Sequence, residues 1–210
     1  LVGSEMCIRD RYDDYMWTGQ TDLVREYWDT LRRFWDNCLK HVGEDGLWRT
    51  QRVLADIRNS LRPKNDRQSS GIVTPWIIER LGWSIEMSEA IGEAEQAAKW
   101  RQMRDKMILA FGRYHIVPPK DDIPAHVGDR ADPADPNLER GYCQAGQTIA
   151  VIAGLLDHSE AIADLNYAFQ DPEGSPGRGV KRWNNPTYGY RSLRALSDVG
   201  LTRRAVNHLM

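Results

Sequence analysis

Apolar positions recur at intervals of three and four residues along most of the chain. Leu23, Tyr27, Leu31, Trp35 and Cys38 form one stripe, with Val24, Trp28 and Phe34 beside it. A stripe that wide predicts an amphipathic helix over residues 22–40, facing a core. Thr21 or Asp22 is placed to cap its start, and Gly43 and Gly46 to stop it. Residues 12–17 read as the last turns of a preceding helix. Thr74-Pro75 reads as a helix start, followed by Ile77, Ile78, Leu81, Ile85 and Ile91 and closed by Gly92. A second helix follows at once, from Ala94 through Trp100, Met103 and Met107 to Phe111, with Gly112 as its end. Residues 144–156 are apolar nearly all round, which marks a buried helix. Its partner opens at Asp157 or Ser159. A further pair spans residues 188–196 and 202–210, broken by Gly200.

Tight turns between such helices make antiparallel hairpins. One helix of each pair is nearly apolar and the other half polar. No run alternates with period two long enough to predict a strand. The closed arrangement of many such hairpins is a toroid with apolar inner helices. An open solenoid is the competing arrangement, but it expects a fixed repeat length that these loops lack. Three connections separate these pairs: residues 49–70, where Val53, Leu54 and Ile57 form a short helix or an extended piece ahead of a polar loop over 62–70, and the two long loops 114–141 and 170–187. The second is rich in Asp and Pro, and the third in Gly. Loops beyond about 12–15 residues are usually functional or disordered.

Composition narrows the function. The chain has 210 residues, 41% of them hydrophobic, with a net charge of -2 and a pI near 6.2. No concentrated basic surface is visible, so nucleic acid is not an expected partner. No apolar run approaches the ~18 residues of a membrane span, so no membrane role is expected. Cys7, Cys38 and Cys143 are too scattered for a disulfide framework, and Cys38 falls on the apolar face of its helix. His115, His126 and His158 lack the spacing of a zinc site, so no metal and no cofactor is expected. The segment from Gly174 to Lys181 lacks the spacing of a phosphate loop. Residues 1–11, LVGSEMCIRDR, resemble the translated sequencing adapter found at the ends of assembled environmental reads. They are set apart from the fold, leaving residues 12–210 as one domain, read as the middle of a longer one.

The combination of Tyr15, Thr18-Gly19, a long helix and then Asp45-Gly46-Leu47 resembles the alpha-L-rhamnosidase catalytic domain, a six-hairpin (α/α)6 barrel of the glycoside hydrolases. The family has Thr-Gly-Asp where this chain has Thr18-Gly19-Gln20. It has Phe-x-Asp-Trp where this chain has Leu54-Ala55-Asp56-Ile57, so only the acid is kept. Residues 82–111 resemble the hairpin turned by Leu-Gly, here Ile91-Gly92. Residues 144–156 resemble the buried helix that runs from Gln to Gly-Leu, here Gly154-Leu155. Residues 190–210 resemble a Tyr-x-Leu-x-Ala-Leu hairpin, here Tyr190 to Leu196 with Gly200 after it. The likeness covers residues 12–210, and other six-hairpin hydrolases, acting on glucosides or fucosides, share much of it.

The resemblance implies an all-α, incomplete (α/α)6 toroid from an inverting alpha-L-rhamnosidase acting on terminal rhamnose of glycans. The missing N- and C-terminal parts of the same barrel are then its structural partners. In that family the general acid lies in an Arg-Asp-Glu-x-x-Gly-Trp segment upstream of this region, and the general base is a downstream Glu. Glu79 to Trp83 has a passing likeness to the first motif but falls in mid-helix, after the Asp-Gly-Leu loop. No catalytic residue is therefore assigned within the chain, which is expected to be inactive alone. A helical scaffold with no active site is the rival reading.

Sugar recognition wants carboxylates for hydroxyls and an aromatic platform. Asp56 is the leading candidate, against a capping or surface role. Trp48 reads equally as a stacking platform or a packing tryptophan. Asp129 from the second long loop and Trp183 from the third complete the set, against a solvated loop in each case. Glu79, Glu86 and Glu89 share a helical spacing that reads as a solvated outer face.

Overall fold

The computed structural model describes residues 2–49, 65, 67–135, 137–170, 177, 179–182 and 189–209, with side chains from Ile8 to Asn207. The expected all-α architecture is present. Among the described residues the helices are α1 (Val2–Thr18), α2 (Asp22–Glu26), α3 (Trp28–Cys38), α4 (Val73–Ala90), α5 (Ala94–Tyr114), α6 (Gln144–Ile152), α7 (His158–Ala168), α8 (Gly189–Asp198) and α9 (Thr202–Leu209). Helices α1, α4, α6 and α8 pack side by side in that order, and each is backed by the next element in sequence. This is an arc of four helical hairpins with α1, α4, α6 and α8 inside. It is a mostly α-helical domain of the (α/α)6 six-hairpin kind, partial in extent.

Each inner helix ends on a glycine with positive φ: Gly19, Gly92, Gly154 and Gly200. Three of these ends share one hydrogen-bond pattern. The amide of Gly92 donates to Glu89 O and that of Glu93 to Ser88 O; Gly154 and Leu155, and Gly200 and Leu201, repeat it. A left-handed residue lets the chain reverse while its amides satisfy the last helical carbonyls, and glycine adopts that conformation without a Cβ clash. The tight turns therefore all lie at one end of the arc. The long connections lie at the other, before the N-termini of α4, α6 and α8.

Several starts and stops differ from expectation. The helix anticipated over residues 22–40 breaks at Tyr27 (φ -100°, ψ 8°), and Thr21 makes no side-chain cap bond. α4 starts before Thr74-Pro75. Ser70 Oγ accepts from the amides of Ile72 and Val73, while Thr74 Oγ1 lies 3.2 Å from Ser69 Oγ. α7 opens as expected at Asp157, whose side chain accepts from the Glu160 amide while Glu160 reaches back to the Asp157 amide. α1 extends back through the stretch set apart above. Ile8 is buried there, and Arg9 bonds Asp13 and Tyr190.

Two cores hold the arc. Trp35, Trp100, Phe111, Met107, Ile78 and Leu81 fill the first, and Trp35 Nε1 donates to Ser84 Oγ at 2.8 Å. Leu165, Phe169, Ala195 and Leu196 fill the second. Ile72, Trp76, Cys143, Ala145 and Ile149 bridge α4 and α6.

Candidate functional site

The ends of the three long connections are stitched together. β1 (Ser69–Ser70) pairs antiparallel with β4 (Arg130–Ala131), joining the first connection to the second. Within the second, β2 (Ile116–Val117) pairs with β3 (His126–Val127). His115 locks these strands. Its Nδ1 lies 3.1 Å from Gly128 O and its Nε2 3.0 Å from Ser69 Oγ. Burial pushes its pKa down to about 4. The neutral ring thus donates through Nδ1 and accepts from the serine hydroxyl. Gln147 of α6 grips the amide and carbonyl of Val127. The third connection joins through Gln144 N to Lys181 O and Lys181 N to Tyr142 O. The result is one rim, at the N-terminal end of the inner helices.

Two of the four anticipated sugar-contacting residues, Asp56 and Trp183, lie outside the described residues. The other two are buried. Trp48 is 4% exposed, donates its indole N–H to Cys38 O at 3.0 Å and meets His41 edge-on. It anchors the start of the first connection to the α3 end. Asp129 is 1% exposed and lies between β3 and β4. Its carbonyl accepts from the Gly71 amide at 2.8 Å, coupling it to the segment that opens α4. Its carboxylate oxygens have no N–H or O–H partner among the described residues, and the Cys143 thiol faces them. A thiol is a weak donor. Burial accordingly raises the Asp129 pKa to about 6. Gly141 leaves room for this carboxylate, since a Cβ there would lie 2.6 Å from Oδ2.

Below the rim, between α4 and α8, lies a cluster that differs from the outer-face reading of the glutamates. Glu86 and Glu89 are exposed, as expected, but Glu79 is buried at 7% exposure. Its Oε2 is 3.5 Å from Arg191 Nη1 and 3.8 Å from Arg80 Nη1. The Arg191 guanidinium lies over Trp76, and that of Arg80 lies 3.8 Å above Trp83. Trp83 stacks in turn on Tyr12 of α1, whose hydroxyl donates to Glu86. Glu79 was grouped with its exposed neighbours because only the acidic spacing was weighed. The informative spacing is Trp76, Glu79, Arg80, Trp83, which sets two charged side chains between two aromatic ones on one helical face.

Chemically, this is a buried carboxylate between two cations and two indoles, at the rim end of the inner helices. Such a group accepts hydrogen bonds from hydroxyls, whereas the indole faces are already covered, Trp76 by Arg191 and Trp83 by Arg80 and Tyr12. No group of three or more potential metal ligands occurs among the described residues. No described helix is long and apolar enough to cross a membrane.

The hairpin arc with its rim of long loops defines the chain as a six-hairpin glycosidase-like domain. The profile of the bacterial alpha-L-rhamnosidase 6 hairpin glycosidase domain matches residues 8–171, and the chain belongs to that family. Among solved structures it resembles a GH78 family rhamnosidase of Bacillus sp. GL1, with a TM-score of 0.78 and 16% identity over 96% of this chain and 20% of that one. It also resembles a rhamnosidase from Klebsiella oxytoca with rhamnose bound, with a TM-score of 0.72 and 18% identity over 96% of this chain and 35% of the other. At such low identity the structural likeness shows the shared fold alone, and the chain spans a minor part of each relative. No curated protein matches the chain.

Proposed function

We propose that this chain is the middle of the catalytic barrel of an inverting alpha-L-rhamnosidase that removes terminal rhamnose from glycans. The observation that carries the reading is the Glu79 cluster beneath a single rim built from all three long connections. A scaffold without an active site gives no reason for a buried carboxylate at the end where the loops gather. The family match and a relative solved with rhamnose bound support the choice of sugar.

In this reading the sugar enters from the rim. Asp56 from the first connection and Trp183 from the third contribute to the pocket, with Trp48 fixing where the first connection begins and the buried Asp129 fixing the strands of the second. Glu79 accepts from sugar hydroxyls on the floor. Inversion requires an acid and a base about 6.5–9.5 Å apart, with water between the base and the anomeric carbon. Both carboxyl groups come from parent sequence beyond these 210 residues. A barrel glycosidase for glucosides or fucosides is the neighbouring alternative, because the arrangement of pocket side chains sets sugar choice.

The test is an assay of the longer parent protein on aryl alpha-L-rhamnoside, aryl alpha-glucoside and aryl alpha-L-fucoside. The released sugar is followed by proton NMR. Hydrolysis of the rhamnoside with the beta anomer appearing first is the expected result. Preference for another glycoside overturns the sugar, and first release of the alpha anomer overturns inversion. Turnover by the 210-residue chain alone overturns the placement of the acid and base.

A further inference from the structure

A cleft of about 410 Å³ lies between the second and third connections. It is separate from the Glu79 cluster and shares no lining residue with it. Val117, Ile123 and Leu138 supply apolar surface, and His126, Arg140 and Tyr142 supply polar and aromatic groups. Its volume falls within the ~300–1,000 Å³ of small-molecule sites. The wall is backed by outer helix α7. Tyr142 stacks on Tyr167 with ring centroids 5.9 Å apart, and its hydroxyl donates to Asp164 at 2.5 Å. His126 stacks on Tyr142 at 4.1 Å. Both side chains are thereby held in fixed positions.

The polar groups are complementary in kind. His126 Nδ1 lies 3.0 Å from Pro124 O, and burial pushes the imidazole pKa down, which favours the neutral ring. Nδ1 is therefore the protonated nitrogen and Nε2 an acceptor. Arg140 donates one N–H to Ile116 O, and the rest of its planar fork is a set of donors. Glu139 adds an exposed carboxylate acceptor. Gly141 and Gly179, both with positive φ, leave the backbone bare on the lining. A purely apolar ligand would leave these groups unmatched, and a phosphate would meet the Glu139 charge. Vicinal hydroxyls on a ring with C–H faces match donors, acceptors and apolar wall together.

We propose that this cleft is a second carbohydrate site, which holds a neutral oligosaccharide segment away from the reacting sugar. The choice of sugar rests on the rhamnosidase reading, whereas the cleft itself does not. A site of this kind, on the α7 side of the rim, raises effective concentration by tethering the polymer beside the reacting sugar.

The probe is the disaccharide rhamnosyl-α-1,6-glucose, titrated to 20 mM into the isotope-labelled 210-residue chain. Amide shifts are followed at Gly141, Gly179 and His126 for the cleft, and at Trp76 and Arg191 for the Glu79 cluster. Saturable shifts at the cleft are expected. Arg140→Ala and Glu139→Ala should each weaken them at least fivefold with an unchanged melting temperature, and Glu79→Gln should leave them as they are. Glu139 is exposed, so its variant reports even if Arg140→Ala unfolds. Shifts at Trp76 and Arg191 alone, or none anywhere, overturn the cleft proposal. Shifts at the cleft alone sustain it, and count instead against sugar binding at Glu79.

Discussion

Arg191 of α8 reaches across to Glu79 of α4, its Nη1 lying 3.5 Å from Oε2, with both side chains less than a tenth exposed. The two residues are more than a hundred positions apart in sequence, and the pair spans two hairpins. Removing one partner of a buried ion pair leaves the other desolvated without compensation, at a cost of about 3–5 kcal/mol. Arg80 and Arg191 keep further contacts, so the loss falls at the lower end. Glu79→Ala should cost about 3 kcal/mol, and Glu79→Gln, which keeps the volume and an acceptor, less than half of that. Urea unfolding followed by tryptophan fluorescence measures both. A Glu79→Ala midpoint matching wild type would show that the carboxylate is not structurally coupled to α8.

The same pair marks where sequence reasoning reached and where it stopped. The hairpins were legible because their signals are local. A helical stripe and a glycine such as Gly92 or Gly200 lie within one turn of each other. The Tyr27 break was not, since the apolar stripe runs through it unchanged. β1 and β4 were invisible for another reason: each is two residues long, and their pairing joins Ser70 to Arg130 across a sixty-residue interval. The burial of Asp129 was hidden likewise. It depends on the space left by Gly141 and on α6 packing behind it, not on the Asp-rich context around it. Glu79 could have been found, because Trp76 and Trp83 flank it on the same helical face.

The bond between Trp35 Nε1 and Ser84 Oγ ties the outer helix of the first hairpin to α4 through the middle of the first core. Ser84→Ala removes the acceptor and leaves a buried indole N–H unsatisfied. The desolvation of such a donor costs about 1–3 kcal/mol. Ser84 also donates to Arg80 O within its own helix, a bond whose loss costs little because the carbonyl keeps its helical partner. Ser84→Ala should therefore destabilise by about 2 kcal/mol in chemical unfolding. Trp35→Phe, which leaves the serine hydroxyl with its Arg80 bond, should cost at least as much through the cavity it opens. If Ser84→Ala proves neutral, the indole has another acceptor.

Asp157 and Glu160 form a reciprocal cap at the start of α7. Asp157 accepts from both the Glu160 amide and the Ser159 hydroxyl, and these bonds hold its pKa below the usual carboxylate range. Asp157→Ala should lower the urea midpoint measurably, and Asp157→Asn, which keeps an acceptor, much less. Because this turn lies at the end opposite the rim, neither variant should alter sugar-induced shifts at Gly141 or Gly179. A change there would mean that α7 transmits strain to the cleft wall.

Asp129 predicts an inverted pH dependence. Its folded pKa, raised to about 6 by burial, exceeds the ordinary value of 3.8. The folded state then holds the proton more tightly than the unfolded state does. The associated stability is complete below about pH 4 and is lost as pH rises to about 6. At ~1.4 kcal/mol per tenfold change in proton affinity, the loss is on the order of 3 kcal/mol. His115 acts oppositely across the same window. Its folded pKa near 4 lies below the ordinary 6.5, so it destabilises the fold as pH falls. The wild-type profile alone therefore mixes the two. Asp129→Asn isolates the carboxylate: the variant should gain on wild type progressively between pH 4 and 6, then keep a constant advantage above pH 6. Urea midpoints of both proteins at half-unit steps from pH 4 to 7 measure this. A difference that stays flat across that range would place the Asp129 carboxylate in contact with a strong donor, and would remove the argument that the rim holds a buried, weakly partnered acid.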